Sequence, residues 1–167
     1  WVYTKEILVI GIPAAIQGML FNISNIIIQS AINSLGADIV AASTVALNFE
    51  MYSYFLITGF AQAAITFTSQ NYGAKNYKRC IQSIRWCMLL GTLFTGAISA
   101  LFVSFSPVLA GIFTSDPAIV KIACIRIAIV VTFEVLNMTI EIMSGALRGL
   151  GNPMISTVLC IVFTCAL

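Results

Sequence analysis

Charged residues are scarce in this sequence, and histidine is missing altogether. Of its 167 residues only 8% are charged and none is histidine, whereas 60% are hydrophobic. The mean hydropathy is +1.02. A soluble domain carries about 25% charged residues, which cover its surface with groups that water can solvate. We therefore predict an integral membrane protein, and the missing histidine excludes enzymes that need an imidazole.

Glycine, proline and cysteine are also too few or too scattered for several classes of protein. Eleven glycines and four prolines do not fit a collagen or a disordered chain. The five cysteines form no CxxC pair and have no histidine companions, so we interpret them as small buried hydrophobic residues. The net charge of +2 is too small and too dispersed for a nucleic-acid-binding face. We predict no bound metal and no nucleic-acid partner.

The apolar residues are grouped into five stretches. Crossing the hydrocarbon core of a bilayer takes about 20 helical residues, and four of the stretches are about that long or longer. The fifth stretch stops short of that length at the end of the chain. We predict an all-α polytopic membrane bundle with four complete spans and a truncated fifth. The predicted spans are residues 7–35, 39–69, 87–105, 117–146 and 154–167.

The connections between these stretches carry turn and capping signals. Residues 70–79, QNYGAKNYKR, predict a loop or an interfacial helix around Gly73. The connection before the fourth span is bracketed by residues 106–107 and 114–117, where Asp116 suits a helix cap and Pro117 suits a first turn. Because the last span is short and the first residue is not Met, we expect the chain to be a piece of a longer protein.

Basic residues in the connections predict the orientation of the chain. Lys5, the four Lys and Arg residues within 75–85, and Arg148 share one side of the membrane if the spans alternate. Lys and Arg are retained in cytoplasmic loops, so the N-terminus is predicted to be cytoplasmic. Lys121, near the outer end of the fourth span, is an exception. We expect a multi-pass protein of the plasma membrane, which in a bacterium is the inner membrane.

The fourth span carries a polar face. At about 100° per residue, six polar side chains fall within about one quarter of the helix circumference. Polar groups in hydrocarbon are costly unless they face protein or a watery cavity. The acids on this face either pair with basic residues and hold helices together, or relay protons or cations. The six are Arg126, Glu134, Asn137, Glu141, Ser144 and Arg148.

Two further spans carry polar side chains. Glu50 lies near the middle of the second span, and Tyr54 follows it at the i+4 position. Either a Glu50–Tyr54 hydrogen bond keeps the acid neutral, or the acid serves a cavity. The opposite face of that helix carries Thr44, Asn48, Tyr52, Gln62 and Thr66. In the first span we expect the side-chain amides to bind helix to helix, as amides in membranes commonly do. These are Asn22, Asn25, Gln29 and Asn33.

Four blocks of sequence, taken in their order and spacing, carry a family resemblance. They are GIPAAIQGMLFNISNIIIQSAINSLGAD at residues 11–38, VALNFE at 45–50, SQNYGAKNYKR at 69–79 and GALRGLGNP at 145–153. Together they resemble the multidrug and toxic compound extrusion (MATE) family of transporters. The first block is more similar to the start of that family's second six-helix lobe than to the start of its first. The whole chain, residues 1–167, would then be part of one lobe.

The resemblance implies a secondary antiporter of two six-helix lobes and not an enzyme. Such a transporter exports cationic or amphipathic organic compounds, such as drugs, toxins and metabolites, while protons or sodium ions enter. It implies no cofactor beyond that coupling ion. The implied partners are a small organic substrate, membrane lipid and the first lobe of the same chain.

The match departs from the family pattern at two positions. Members similar to the sodium-coupled branch carry second-lobe acids where this chain has Phe21 and Asn137. Either Glu134 and Glu141, one turn to each side of Asn137, substitute for the missing acid, or the coupling site lies in the first lobe. We take as candidates for substrate or cation binding Glu50, Tyr54, Arg126, Glu134, Asn137 and Glu141.

One alternative function is a lipid-linked saccharide flippase of the same broad superfamily. A flippase of that kind needs a basic cavity to meet a pyrophosphate group. Only Arg126 is a plausible cation within the spans. We therefore expect an antiporter, with the flippase as the alternative.

Overall fold

The fold is built from α-helices throughout its described length. The computed structural model describes residues 2–166, apart from the side chains of residues 2, 3, 5, 6, 10, 14 and 160–166. No strand is present within that range, which confirms the all-α prediction. The helices are α1 (Val2–Asn33), α2 (Ala37–Gly73), α3 (Tyr77–Ser104), α4 (Ser106–Phe113), α5 (Pro117–Gly149) and α6 (Pro153–Ala166).

The long helices have the dimensions that membrane spans require. Ile7–Asn33 and Tyr77–Ser104 are each long and apolar enough to cross a membrane. The two helices with intramembrane acids are longer still, with 37 residues in α2 and 33 in α5. At a rise of 1.5 Å per residue these are about 55 Å and 50 Å long, more than a bilayer core requires. The predicted last span ends at Leu167, which lies outside the described residues.

The connection before α5 contains a short helix. The sequence marks the two ends of this connection but not its structure, and Ser106–Phe113 forms the eight-residue helix α4. Pro107 occupies its first turn, where a missing amide hydrogen costs nothing. Ala110 is fully buried in the same apolar cluster as Ile127 of α5. The apolar residues after Pro107 form a helix, and α5 covers its buried side.

The connection between α2 and α3 is shorter than the segment of residues 70–79 that the sequence marks. The helix α2 continues to Gly73 and α3 begins at Tyr77, so only three residues link them. The tight turn is made by Lys75, whose φ of 58° is left-handed, and not by Gly73. Asn76 caps α3 by accepting a hydrogen bond from the Arg79 amide at 3.3 Å.

The predicted cap of the fourth span is confirmed. The Asp116 carboxylate accepts a hydrogen bond from the Ala118 amide at 2.8 Å. Pro117 follows it in the first turn of α5. Asp116 pairs with one of the backbone N–H groups that the start of a helix leaves without a partner, and Pro117 has no N–H group that would need one.

The helices α2, α3 and α5 pack together and form the centre of the bundle, with α4 against α5. The helix α1 packs mainly on α6, which in turn contacts α5. Large apolar side chains point outward on several helices, as lipid-facing residues do; Ile26, Leu93 and Phe133 are each more than half exposed. Cys80 and Cys87 are buried free thiols, as the sequence predicted.

Two glycines bring the backbones of α2 and α5 into contact. A Cβ atom on Gly145 would lie 2.9 Å from the Ala61 carbonyl oxygen, and one on Gly149 would lie 2.8 Å from that of Ile65. Glycines four residues apart allow membrane helices to approach closely. Because residue numbers rise together along both helices, α2 and α5 run in the same direction.

Candidate functional site

The polar candidates lie along the line where α2 packs against α5, which we call the α2–α5 seam. It contains Glu50 and Tyr54 from α2, and Arg126, Glu134, Asn137, Glu141 and Arg148 from α5. None of these seven side chains is classed as exposed. The parallel course of the two helices places Glu50 and Glu134 at similar heights. The seam therefore brings together all six candidate residues named from the sequence.

Arg126 of α5 connects to α2 at one end of the seam. Its Nη1 donates a hydrogen bond to the Ser43 hydroxyl of α2 at 2.5 Å. Its charge also attracts the Glu50 carboxylate. Ser43 was missed from the sequence, although Ser43, Glu50 and Tyr54 have the i, i+7, i+11 spacing of a shared helix face.

Glu134 is the most deeply buried acid of the seam, with 7% of its surface exposed. One turn later on α5, Asn137 Nδ2 donates a hydrogen bond to Glu134 Oε2 at 3.0 Å. Within the described residues no basic side chain lies within ion-pair distance of Glu134. Glu50 is close enough for the two carboxylates to repel one another. A buried carboxylate held by an amide and facing a second acid is a favourable place for a proton or a cation.

Glu141 and Arg148 form a pair at the other end of the seam. Arg148 Nη2 lies 3.7 Å from Glu141 Oε2, and both side chains are about three-quarters buried. Arg148 lies in the last turn of α5, where a positive charge also favours the helix dipole. Tyr54 is near enough to feel the charges of Glu141, Arg148 and Glu134. Glu141 thus pairs with a basic residue, but with one of its own helix, so this pair does not hold two helices together; among the described residues Glu134 has no ion-pair partner.

Three other residues or pairs named from the sequence are the Glu50–Tyr54 pair, Ser144 and Phe21. No hydrogen bond joins Glu50 to Tyr54 within the described part of the chain. Ser144, also on the polar face of α5, hydrogen-bonds to Ser156 and so links α5 to α6. Phe21, at the family's acidic position in the first span, is about half exposed on α1 and away from the seam.

Among the described residues, the side-chain amide hydrogen bonds of α1 stay within that helix, so the predicted helix-to-helix binding is not seen here and stays a prediction. Asn22 donates to the Gly18 carbonyl oxygen at 2.9 Å, and Gln29 donates to Asn33 Oδ1 at 2.9 Å. Both bonds stay within α1. These side chains lie mostly on the exposed side of α1, so the nearest acceptors are those of their own helix.

The seam carries an excess of acidic groups. It holds three carboxylates and two guanidinium groups, which leaves one more acid than base. Within the described residues no group of three Asp, Glu, Cys or His side chains is arranged to hold a metal ion. In a low-dielectric setting an excess carboxylate attracts a proton, a monovalent ion or an organic cation far more strongly than it would in water.

Long apolar helices that carry charged side chains along an internal seam are typical of membrane transport proteins. Comparison with known proteins agrees: the MatE family model matches residues 13–167. The chain therefore belongs to the MatE family, which confirms the resemblance seen in the sequence. Members of this family are transporters and not enzymes, as the names of its relatives indicate.

Three relatives illustrate the match. The chain is 31% identical over 160 residues to the probable multidrug resistance protein NorM of Thermotoga maritima, covering 94% of this chain and 34% of that protein. It is 27% identical over 154 residues to the uncharacterized transporter YisQ of Bacillus subtilis, covering 90% and 33%. It is 23% identical over 159 residues to the multidrug export protein MepA of Staphylococcus aureus, covering 94% and 35%. The chain thus spans about a third of the length of these relatives.

Proposed function

We propose that the full-length protein is a secondary active antiporter that exports cationic or amphipathic organic compounds in exchange for protons or sodium ions. Membership of the MatE family supports transport, and the printed names of NorM and MepA support drug extrusion. The observation that carries the proposal is the buried Glu134 beside Glu50 in the α2–α5 seam, since Glu134 has no basic partner among the described residues.

In this proposal the seam couples two fluxes by competition. Arg126 and Arg148 neutralise Glu50 and Glu141 in part, whereas Glu134 is held only by Asn137. A proton or sodium ion on Glu134 removes the negative charge that a cationic substrate needs, so the two cations exclude each other. A ligand shifts the transporter between its two facing states only if its affinities for them differ. The membrane potential adds about 2.3 kcal/mol per charge per 100 mV.

The location and the partners of the chain are also part of what we propose. We place it in the plasma membrane with its N-terminus cytoplasmic, as the Lys and Arg residues in the connections indicate. Its partners are the organic substrate, surrounding lipid and a first lobe that completes the cavity. The polar, exposed face of α2, with Thr44 and Gln62, is the side we expect to meet that cavity.

The flippase alternative is less well supported by the site. Arg126 is the cation that would have to meet a pyrophosphate group. In the structure it donates to Ser43 and is attracted by Glu50, so its charge is already engaged. The seam as a whole carries an excess of acid, which repels phosphate. We therefore retain the antiporter as the proposed function.

Gradient-driven transport tests the proposal. The full-length protein is placed in inverted membrane vesicles with ethidium as the probe cation, and a proton gradient or a sodium gradient is imposed separately. We expect one of the two gradients to drive ethidium accumulation, and its identity names the coupling ion. If neither gradient drives movement of ethidium or of a small panel of other organic cations, the proposal is wrong. Gradient-independent movement of a lipid-linked saccharide would instead favour the flippase.

A further inference from the structure

A second site lies outside the seam, in a groove between α2 and α3. Its volume is about 440 Å³, and it opens on the surface of the bundle. It begins beside the turn that joins the two helices and continues toward the middle of both. Arg79 is the only charged residue in its lining. Neither the acids of the seam nor Arg126 and Arg148 reach it.

The lining changes from polar to apolar along the groove. Near the turn it is formed by Asn71, Arg79, Gln82 and Ser83. At its far end it is formed by Phe60 and Leu90. Residues 79 and 90 are eleven helical rises apart, which is about 16 Å along the axis of α3 and about half the thickness of a bilayer core. This gradient has the length and polarity of one leaflet.

Trp86 marks the boundary between the two ends. It lines the groove two turns into α3, and about half of its surface is exposed. Tryptophan is enriched at the level of the lipid headgroups, because its ring is apolar and its N–H is polar. The groove therefore crosses from headgroup depth to acyl-chain depth.

The charge around the polar end has a single sign. No Asp or Glu occurs anywhere in residues 51–115, whereas Lys75, Lys78, Arg79 and Arg85 all lie there. Within the described residues no carboxylate pairs with Arg79. Its guanidinium group is thus available to an anion that enters the groove.

We propose that this groove binds one anionic phospholipid. The headgroup phosphate lies at Arg79, where Gln82 and Ser83 can also donate hydrogen bonds, and an acyl chain lies along Phe60 and Leu90. Basic pockets between membrane helices on the cytoplasmic side recognise anionic headgroups in this way. The sequence predicts that the α2–α3 turn is on that side. This site is independent of the proposed antiport.

The length of the apolar wall distinguishes a lipid from other ligands. A free phosphate ion would use the polar end but gain nothing from the apolar wall. An organic cation would meet Arg79 with no compensating acid. A phospholipid with an anionic headgroup matches both ends at once.

Quenching of Trp86 fluorescence tests the proposal. The full-length protein in detergent is titrated with phosphatidylglycerol or phosphatidylcholine carrying brominated acyl chains, since bromine quenches a tryptophan it touches. The signal of Trp86 is isolated by subtracting that of Trp86→Phe. We expect saturable quenching by phosphatidylglycerol at concentrations at least fivefold lower than by phosphatidylcholine. Inorganic phosphate at millimolar concentration should not displace the brominated lipid.

A matched pair of variants identifies the headgroup contact. Arg79→Gln removes the charge in the groove, and Arg85→Gln removes one charge from the same helix outside the lining. We expect Arg79→Gln to weaken phosphatidylglycerol binding about fivefold and Arg85→Gln to change it less than twofold. Equal effects of the two variants, equal quenching by both lipids, displacement by inorganic phosphate, or no quenching of Trp86 would each overturn the proposal.

Discussion

Replacing Gly149 by alanine tests a close approach between the backbones of α2 and α5. The added Cβ would lie 2.8 Å from the Ile65 carbonyl oxygen, 3.1 Å from Thr68 Cβ and 3.3 Å from the Ser69 amide nitrogen. The first and last of these atoms belong to the α2 backbone and cannot rotate away. The two helices must therefore separate, and the packing of the seam above Gly149 loosens with them.

The size of the effect follows from two opposing contributions. Overpacking a close contact costs about 1–3 kcal/mol. Alanine is favoured over glycine by at most about 1 kcal/mol inside a helix, and by less at Gly149, which is the last residue of α5. We expect Gly149→Ala to lower the free energy of unfolding by about 1–2 kcal/mol. Gly59→Ala is the matched control, because nothing lies within 4 Å of its added Cβ.

Unfolding of the full-length protein in mixed detergent micelles measures both variants. Gly59→Ala should be as stable as the wild type or more stable, by up to about 1 kcal/mol. Gly149→Ala should be less stable than both. If Gly149→Ala matches or exceeds the stability of Gly59→Ala, then α2 and α5 do not touch at this point and the geometry of the seam is wrong.

Two further predictions concern the acids. Glu50→Gln and Glu141→Gln should each reduce gradient-driven efflux at least about tenfold, which corresponds to a loss of about 1.4 kcal/mol of binding free energy. The amount of protein inserted in the membrane should stay unchanged. If both variants transport normally, these two acids have a structural role only. Asp116→Ala should destabilise the protein by about 1 kcal/mol in thermal unfolding because α5 loses its cap, and Asp116→Asn should retain most of the stability. An alanine variant as stable as the wild type would show that the cap contributes nothing.

The helices could be predicted well from the sequence because long apolar runs and turn residues mark them. Asp116 and Pro117 marked the start of α5 correctly. The helix α4 could not be predicted in the same way, since Ser106 and Pro107 suggest a break. Only burial of Ala110 against α5 explains why the chain stays helical there.

The candidate site was predictable as a helix face but not as a set of contacts. Periodicity placed Glu134 and Glu141 on one arc of α5, and the structure brings both to α2. Periodicity does not say which helix lies opposite each residue. It therefore predicts neither the hydrogen bond from Arg126 to Ser43 nor the hydrogen bond between Ser144 and Ser156 of α6. Both depend on how helices far apart in sequence pack together.

Efflux by Glu134→Gln tests the central claim most directly, because Glu134 is buried and has no basic partner in the part of the chain that the structure describes. Glutamine keeps the size of the side chain and can still bond to Asn137, but it cannot take up a proton or hold a cation. Asp38→Asn is the control, since Asp38 is an exposed acid in the first turn of α2. At equal amounts of inserted protein, the account predicts that Glu134→Gln abolishes gradient-driven ethidium efflux while Asp38→Asn retains it. Efflux by Glu134→Gln at the rate of the control would contradict it.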